Sequence, residues 1–236
     1  SSSGGTGHNN IFIGSATGDK WTSACYTLAI GNSSAACLTT GNYNIMLGSM
    51  AGHKMTDAHT NIAIGQEAGC AIGTGDCNIF LGKCAGRGAT ADSTANTASA
   101  NVVLGHNAGA NLTTGGHNIF MGLNAGQSAS TGGANIIMGP NAGSAAAITG
   151  WYNFIAGCCA GADLTSGCDN ILIGLKAGLK ITTQKWNQFL GWYAGICNTG
   201  CYNTAIGQCA LMGSSTPGNN TGGNNFGGGY RSLFGL

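Results

Sequence analysis

The chain has little charge, little proline and no long apolar run, and each absence excludes a class of protein. Only 6% of its 236 residues are charged and 43% are hydrophobic, whereas disordered chains are usually rich in charge and poor in apolar residues. Two prolines and the lack of a three-residue glycine period exclude collagen. No apolar run approaches the ~18 residues of a membrane-spanning helix. A net charge of +1 gives no support for nucleic acid or anionic lipid as a partner.

The residues that build enzyme and metal sites are also scarce or scattered. The chain has seven acidic residues, and no two occupy the same place in neighbouring repeats, although polysaccharide-cleaving enzymes need clustered carboxylates. The five His lack acidic partners, no CxxC pair has zinc spacing, and no repeat carries the Asp of calcium-binding nonapeptides. We therefore expect no enzyme activity, no catalytic residue, no cofactor and no metal site.

Eleven Cys is a large and odd number. They fall at variable places in the repeats, so register predicts no stacked disulfides. We interpret them as small buried thiols, with local or interchain disulfides such as Cys197 to Cys201 as the alternative in a secreted fibre.

What the chain does contain is a tandem repeat of 17 residues. Each unit starts with Asn, three apolar residues and Gly, and Thr27 fills the one missing Asn place. The intervals are 16 to 18 residues, except for one of 23 between Asn78 and Asn101. The anchoring residues are Asn10, Asn44, Asn61, Asn78, Asn101, Asn118, Asn135, Asn153, Asn170, Asn187 and Asn203. A period this regular is typical of solenoids, in which each unit packs only on its neighbours.

One unit reads as a short strand followed by turns. Counting the Asn as position 1, positions 2 to 4 are apolar, position 5 is always Gly, positions 8 and 9 are usually Ala-Gly, and positions 13 to 15 resemble Thr-Thr-Gly. This much Gly disfavours a helix, since each costs about 1 kcal/mol there. The pattern predicts an all-β fold, a β-solenoid or β-roll of about twelve coils.

The anchoring Asn residues should have a structural role. An Asn at the same place in every coil can stack into a ladder, in which each amide bonds the next coil and the turn backbone. Gly at position 5 suits a positive φ or close backbone packing.

The apolar triplet carries a prediction about assembly. Because side chains alternate along a strand, we assign positions 2 and 4 to the coil interior and position 3 to the outside. A large outward apolar column should not remain exposed to solvent, so we predict an interchain contact in a parallel homotrimer. The alternative is a monomer whose own second strand covers the column. The predicted interchain column is Phe12, Met46, Phe80, Val103, Phe120, Ile137, Ile155, Leu172 and Phe189.

The repeats set the expected domain boundaries. We expect a lead-in at 1–9, the solenoid at 10–212 with a surface-loop insertion at 87–100, and a Gly/Asn-rich cap or connector at 213–236. Since the chain opens SSSGGTGHNN without an initiator Met, we expect a processed form or a piece of a longer protein. An uncapped end would invite end-to-end stacking into filaments.

Four stretches carry a resemblance to known families. LTTGGHNIFMGLNAG (Leu112 to Gly126) and LTSGCDNILIGLKAG (Leu164 to Gly178) resemble the repeats of phage tail-fibre-type proteins. Asn61 to Gly65 and Asn203 to Gly207 are similar to the head repeats of trimeric autotransporter adhesins. The resemblance covers about residues 8 to 212 and implies a trimeric, parallel fibre that holds a receptor-binding tip away from a particle or cell.

These observations favour a structural fibre or adhesin on a virion or cell surface, with itself as partner and a cell-surface receptor or glycan as a possible ligand. A self-assembling extracellular filament is one alternative. An ice-binding solenoid is another, because Thr recurs at position 13, although Thr hydroxyls stacked in a turn are a simpler account.

Overall fold

The computed structural model of the chain describes residues 5–89, 96–213 and 222–233. Every strand in this part of the chain is three residues long, and no helix occurs in it. The chain divides into two compact units, residues 1–118 and 119–236. Within each, successive strands pair in parallel and in sequence order, which confirms the predicted all-β solenoid.

The first unit contains six strands. They are β1 (Ile11–Ile13), β2 (Leu28–Ile30), β3 (Ile45–Leu47), β4 (Ile62–Ile64), β5 (Ile79–Leu81) and β6 (Val102–Leu104). Equivalent residues pair directly, as Met46 does with Ala63. The long interval does not disturb the register, because Phe80 of β5 pairs with Val103 of β6.

The second unit contains seven strands. They are β7 (Ile119–Met121), β8 (Ile136–Met138), β9 (Phe154–Ala156), β10 (Ile171–Ile173), β11 (Gln188–Leu190), β12 (Thr204–Ile206) and β13 (Phe226–Gly228). The register is again direct, as in the pairing of Leu172 with Phe189.

The chain closes each coil by turning through left-handed backbone conformations. Position 5 has φ near 130°, as in Gly48 (φ 139), a region that only Gly enters freely. Positions 7 and 17 also have positive φ but carry side chains, as in Met50 (φ 57) and Tyr43 (φ 60). Each such residue costs about 1–2 kcal/mol, and backbone hydrogen bonds between coils offset the cost: the Met50 N–H donates to Asn32 O at 2.9 Å, and the Tyr43 N–H donates to Cys25 O at 3.1 Å.

The core of each coil is built by positions 3, 8 and 12. Position 3 is fully buried in every coil after β1, and position 8 is a buried Ala in most coils. Position 12 supplies a third buried column that the sequence analysis did not identify. Its members include Leu38, Met55, Ile72, Leu112, Leu164 and Ile181, and Ile148, the fourteenth residue of the longer coil that starts at Asn135, is buried like them.

The predicted direction of the triplet was therefore wrong. The column assigned to an interface between chains lies inside the chain's own coils: Met46, Phe80, Val103, Phe120, Ile137, Ile155, Leu172 and Phe189 are all fully buried, and Phe12 in the first strand is half-buried. The reason is that strand alternation separates two faces but cannot say which is inside when both are apolar. The choice depends on the turns, which bring the Gly of position 9 and the apolar residue of position 12 onto the side of position 3.

The expected insertion and cap both contain repeat structure. Residues 96–100 follow the coil path, since the Gly73 N–H donates to Asn96 O at 2.9 Å, while 90–95 lie outside the described residues. Strand β13, within the region expected to be a cap or connector, pairs with β12. Residues 214–221 and 234–236 lie outside the described part.

Candidate functional site

The outward face of the strands is an extended apolar surface in each unit. Positions 2 and 4 point away from the core, and in the first unit both are aliphatic in all six strands. These residues are Ile11, Ile13, Leu28, Ile30, Ile45, Leu47, Ile62, Ile64, Ile79, Leu81, Val102 and Leu104. Ile45 in the middle of the unit is 36% exposed and Ile64 is 38% exposed. We call this surface the outward strand face.

The second unit has an outward strand face of the same kind. Its apolar members are Ile119, Met121, Ile136, Met138, Phe154, Ala156, Ile171, Ile173, Leu190, Ile206 and Phe226. Gln188, Thr204 and Gly228 interrupt it near the C-terminal end. No charged side chain occurs at positions 2 or 4 of the thirteen described strands.

Stacked aromatic rings border this face at position 17. The Tyr26 and Tyr43 rings, one coil apart, are nearly parallel with centroids 4.9 Å apart, and Trp186 and Tyr202 stack at 4.7 Å. In each pair, stacking covers one face of each ring, and the rings remain about half-exposed. The stacked rings are therefore a second exposed apolar feature of the coils, and their stacking stabilises the left-handed turn from which they project.

The Asn residues of position 1 form a buried ladder. The Asn61 Oδ1 atom accepts hydrogen bonds from the backbone N–H and the side-chain amide of Asn78, at 2.9 and 3.0 Å. The Asn61 amide also donates to Gly75 O of its own coil at 2.9 Å. The same links join Asn44 to Asn61, Asn78 to Asn101, Asn101 to Asn118, Asn135 to Asn153 and Asn153 to Asn170.

The ladder has fewer bonds at its N-terminal end and between Asn170 and Asn203, whereas Asn225 donates both its backbone N–H and its side-chain amide to the Asn203 Oδ1, at 2.9 and 3.0 Å. The Asn10 Oδ1 accepts from the Thr27 N–H at 2.9 Å, so Thr27 receives the same backbone link without an amide of its own. Asn170, Asn187 and Asn203 are joined in sequence through their backbone N–H groups at 3.0 Å. Each Asn thus ties three backbone segments together, which is a structural role.

A second ladder runs along position 16 and was missed in the sequence. Its side chains accept a hydrogen bond from the backbone N–H of position 16 in the preceding coil. The acceptors, each bonded to the residue one coil before it, are Cys25, Asn42, His59, Asp76 and Ser99. Cys168 and Cys201 accept in the same way in the second unit, at 3.5 and 3.4 Å. The signal in the sequence is an acceptor atom rather than one residue type, which is why a search for repeated identities does not find it.

The hydroxyl groups of several Thr residues at position 13 donate hydrogen bonds to the backbone of the next coil, within the turns. The Thr22 hydroxyl donates to Thr39 O at 2.9 Å, and the Thr39 hydroxyl donates to Thr56 O at 3.1 Å. Thr165 bonds Thr182 O in the same way at 3.1 Å. These bonds match the stacked-turn account of the Thr column, so this column does not motivate an ice-binding surface.

All eleven Cys are free thiols, including Cys197 and Cys201. Burial, with a smaller contribution from the nearby Glu67 carboxylate, raises the pKa of the Cys70 thiol to about 11. Burial also raises the pKa of Cys84 and Cys197. These three thiols keep their protons near neutral pH and are poor nucleophiles.

The charged groups form isolated pairs on the surface. Lys180 bonds Asp163 at 2.8 Å, His59 lies 3.3 Å from Asp57, and Arg87 lies 3.9 Å from Glu67. Within the described ranges no group of three or more His, Cys, Asp or Glu side chains could hold a metal ion. Among the described residues there is also no helix long and apolar enough to cross a membrane.

Comparisons of the chain with protein-family models, with curated proteins and with solved structures found no match. The functional argument therefore depends on the outward strand face and the ladders.

Proposed function

We propose that this chain is a structural fibre protein whose outward strand face packs against other copies of the chain, with a parallel homotrimer as the assembly. The observation that carries the proposal is the exposed aliphatic surface of the first unit, which includes Ile13, Ile45 and Ile64. The proposal keeps the expected partner but moves the contact from position 3 to positions 2 and 4.

The size of the face supports an interaction. Six strands about 4.8 Å apart and three residues wide at about 3.3 Å per residue give a flat area of about 290 Å² in the first unit. The largest exposed apolar patch on a typical soluble monomer covers about 300–600 Å² and is often functional, and the face of one unit is close to the lower end of that range. The stacked rings of Tyr26 and Tyr43 are a further exposed apolar feature of the same unit.

The regularity of the face favours a second copy as the occupant. The strands present one pair of aliphatic side chains per coil, at the spacing of the strand ladder. A parallel copy has the same spacing, so its side chains can interdigitate along the whole unit. The absence of charge at positions 2 and 4 removes repulsion between identical faces.

The ladders support the fibre proposal. Adjacent coils are joined by strand pairing, by the Asn side chains of position 1 and by the acceptors of position 16.

A surface that varies from coil to coil, such as Trp192 and Tyr193 at positions 6 and 7, is poorly suited to a repetitive ligand but suits a receptor or glycan contact at one place.

We place the fibre on a virion surface or outside the cell, as a phage-type tail fibre or attachment fibre. The eleven free thiols favour the virion setting, because a particle assembled inside a cell folds under reducing conditions, whereas secreted proteins usually oxidise their Cys.

The test is the native mass in solution, with reductant, of the chain and of two double variants. Ile45→Lys/Ile64→Lys places charge on the outward strand face, and Thr74→Lys/Asn111→Lys adds the same charge at exposed positions elsewhere on the coil. We expect three chain masses for the unmodified protein and for the control, and one chain mass with an unchanged circular dichroism spectrum for the face variant.

A monomeric unmodified chain would reject self-association through this face. A series of ever larger species that persists in the face variant would instead identify end-to-end filaments, the alternative function. A control variant that dissociates as readily as the face variant would show that added charge, not the face, is responsible.

A further inference from the structure

One thiol of the first unit lies against an imidazole ring. Cys25 and His8 occupy position 16 in consecutive coils, and the Cys25 Sγ atom lies 3.3 Å from His8 Nδ1. Both side chains reach the surface, since Cys25 is half-buried and His8 is exposed. All eleven Cys and all five His are among the described residues, and within this set no other thiol lies at hydrogen-bond distance from an imidazole.

The coils hold this pair of side chains in place. The Cys25 N–H donates to Asn42 Oδ1 at 2.7 Å, and the His8 N–H donates to the Cys25 Sγ atom at 3.4 Å. The Tyr26 ring packs in a T-shaped arrangement against the imidazole, with ring centroids 5.4 Å apart. The 17-residue period thus brings together a nucleophile and a base that are one full coil apart in the sequence.

The imidazole supplies a base for the thiol. The thiolate is the nucleophile in reactions of Cys, and a neighbouring base activates a thiol by accepting its proton. The Cys25 S–H has two acceptors within reach, His8 Nδ1 at 3.3 Å and Ser23 O at 3.4 Å, and of these only the imidazole can take up the proton. After the transfer, the imidazolium and the backbone N–H of His8 both donate to the thiolate.

Cys168 has matching surroundings without an imidazole. It also occupies position 16 and is half-buried. Its Sγ atom accepts from the Trp151 N–H at 3.5 Å and donates to Ser166 O at 3.4 Å. The residue one coil before it is Trp151, where Cys25 has His8. Cys168 is therefore an internal reference for the effect of the imidazole on Cys25.

We propose that Cys25 is a thiol activated by His8, and that it is a site of covalent modification by low-molecular-weight disulfides. His8 Nδ1 accepts the thiol proton, and the Cys25 sulfur attacks one sulfur of the disulfide R–S–S–R. A new S–S bond joins Cys25 to one R–S group while the S–S bond of the reagent breaks. The leaving R–S⁻ takes the proton from the imidazolium. Cys25 is thereby oxidised to a mixed disulfide, and one R–SH is the reduced product.

This modification is independent of the proposed fibre function, because neither Cys25 nor His8 lies at position 2 or 4. The test compares the modification rates of individual thiols in the reduced, folded chain. The protein is mixed with hydroxyethyl disulfide, quenched with acid at timed intervals and digested, and mass spectrometry gives the modified fraction of each Cys.

The expected result is a fast Cys25 that depends on His8. General-base assistance in enzyme sites contributes about 10²–10⁴-fold, so Cys25 should react at least about tenfold faster than Cys168. His8→Gln should lower the Cys25 rate to within about twofold of the Cys168 rate, and it should leave the Cys168 rate unchanged. Equal rates of the two thiols in the folded chain, or a Cys25 rate that His8→Gln does not change, would overturn the proposal.

Two further measurements separate activation from accessibility. In urea the two thiols should react at similar rates, because unfolding removes His8 from Cys25; a difference that persists in urea would assign the effect to local sequence and contradict the proposal. Trp151→His places an imidazole one coil before Cys168 and should raise the Cys168 rate, and an unchanged rate in this variant would count against activation by this arrangement. Circular dichroism verifies that each variant is folded.

Discussion

Gly86 lies directly against the ring of Phe80 in the same coil, so that a Cβ atom added at Gly86 would overlap the ring carbons Cδ1 and Cε1. Gly195 and Phe189 have the same relationship in the second unit. Position 9 accepts a side chain where position 3 is small: Ala35 follows Ala29 in its coil with a left-handed φ of 50. Positions 3 and 9 are therefore complementary in size.

This complementarity predicts the effect of Gly86→Ala. The new methyl group overlaps the Phe80 ring, and overpacking of this kind typically costs about 1–3 kcal/mol, with about 1 kcal/mol more for Ala at positive φ. Urea unfolding should show the loss. The double variant Gly86→Ala/Phe80→Ala has no such overlap, so its loss in the free energy of unfolding should be smaller than the sum of the losses in the two single variants. A loss equal to that sum would contradict the packing argument.

The Asn ladder predicts a large effect of Asn61→Ala. The change removes the acceptor of two Asn78 donors and the donor to Gly75 O, all buried. Buried groups left without partners cost about 1–3 kcal/mol each, so we expect a loss of at least 2–3 kcal/mol in the free energy of unfolding. Asn111→Ala, at an exposed position, should change it by less than about 0.5 kcal/mol. Similar losses at the two sites would mean that the ladder contributes nothing specific.

The second ladder predicts that His59 can be replaced by an acceptor but not by a side chain without one. The backbone N–H of Asn42 donates to His59 Nδ1 at 3.1 Å. His59→Ala removes that acceptor and should cost about 1–2 kcal/mol. His59→Asn keeps an acceptor, as Asn42 itself provides to Cys25 in the preceding coil, and should recover most of the stability. Equal unfolding midpoints for the two variants would argue against the ladder.

The buried thiol of Cys70 predicts a loss of stability in alkali. Because its pKa is raised from 9.0 to about 11, the folded chain keeps this proton over a pH range in which the unfolded chain releases it. The unfolded state then binds fewer protons, so the free energy of unfolding should fall as pH rises from about 9 to 11. Urea unfolding of Cys70→Ala across this range should give a smaller slope than the unmodified chain.

A matched control isolates the effect of burial. Cys77→Ala removes an exposed thiol of the neighbouring turn and controls for the loss of a thiol as such. If Cys70→Ala and Cys77→Ala give the same slope as the unmodified chain, Cys70 does not contribute to the pH dependence.

The sequence by itself determined the period, the strand positions and the places of the buried Asn and the turn Gly. These follow from local chemistry: a β-rich triplet between Asn and Gly repeats every 17 residues, and identical units must stack in register. The same reasoning located the strand of every unit from Asn10 to Asn203 and did not extend to β13, where Phe226–Gly228 departs from the apolar pattern.

Only the tertiary structure decided which side of the triplet is inside. Both faces of a triplet such as Ile45–Leu47 are apolar, so the alternation of side chains allows either face to be the buried one. The two arrangements differ in which face packs against the turns. The left-handed residues at positions 5, 7, 9 and 17 set the path of the coil and bring Gly86 against Phe80. The position 16 ladder was equally invisible in the sequence, because it depends on that path rather than on the identity of a repeated residue.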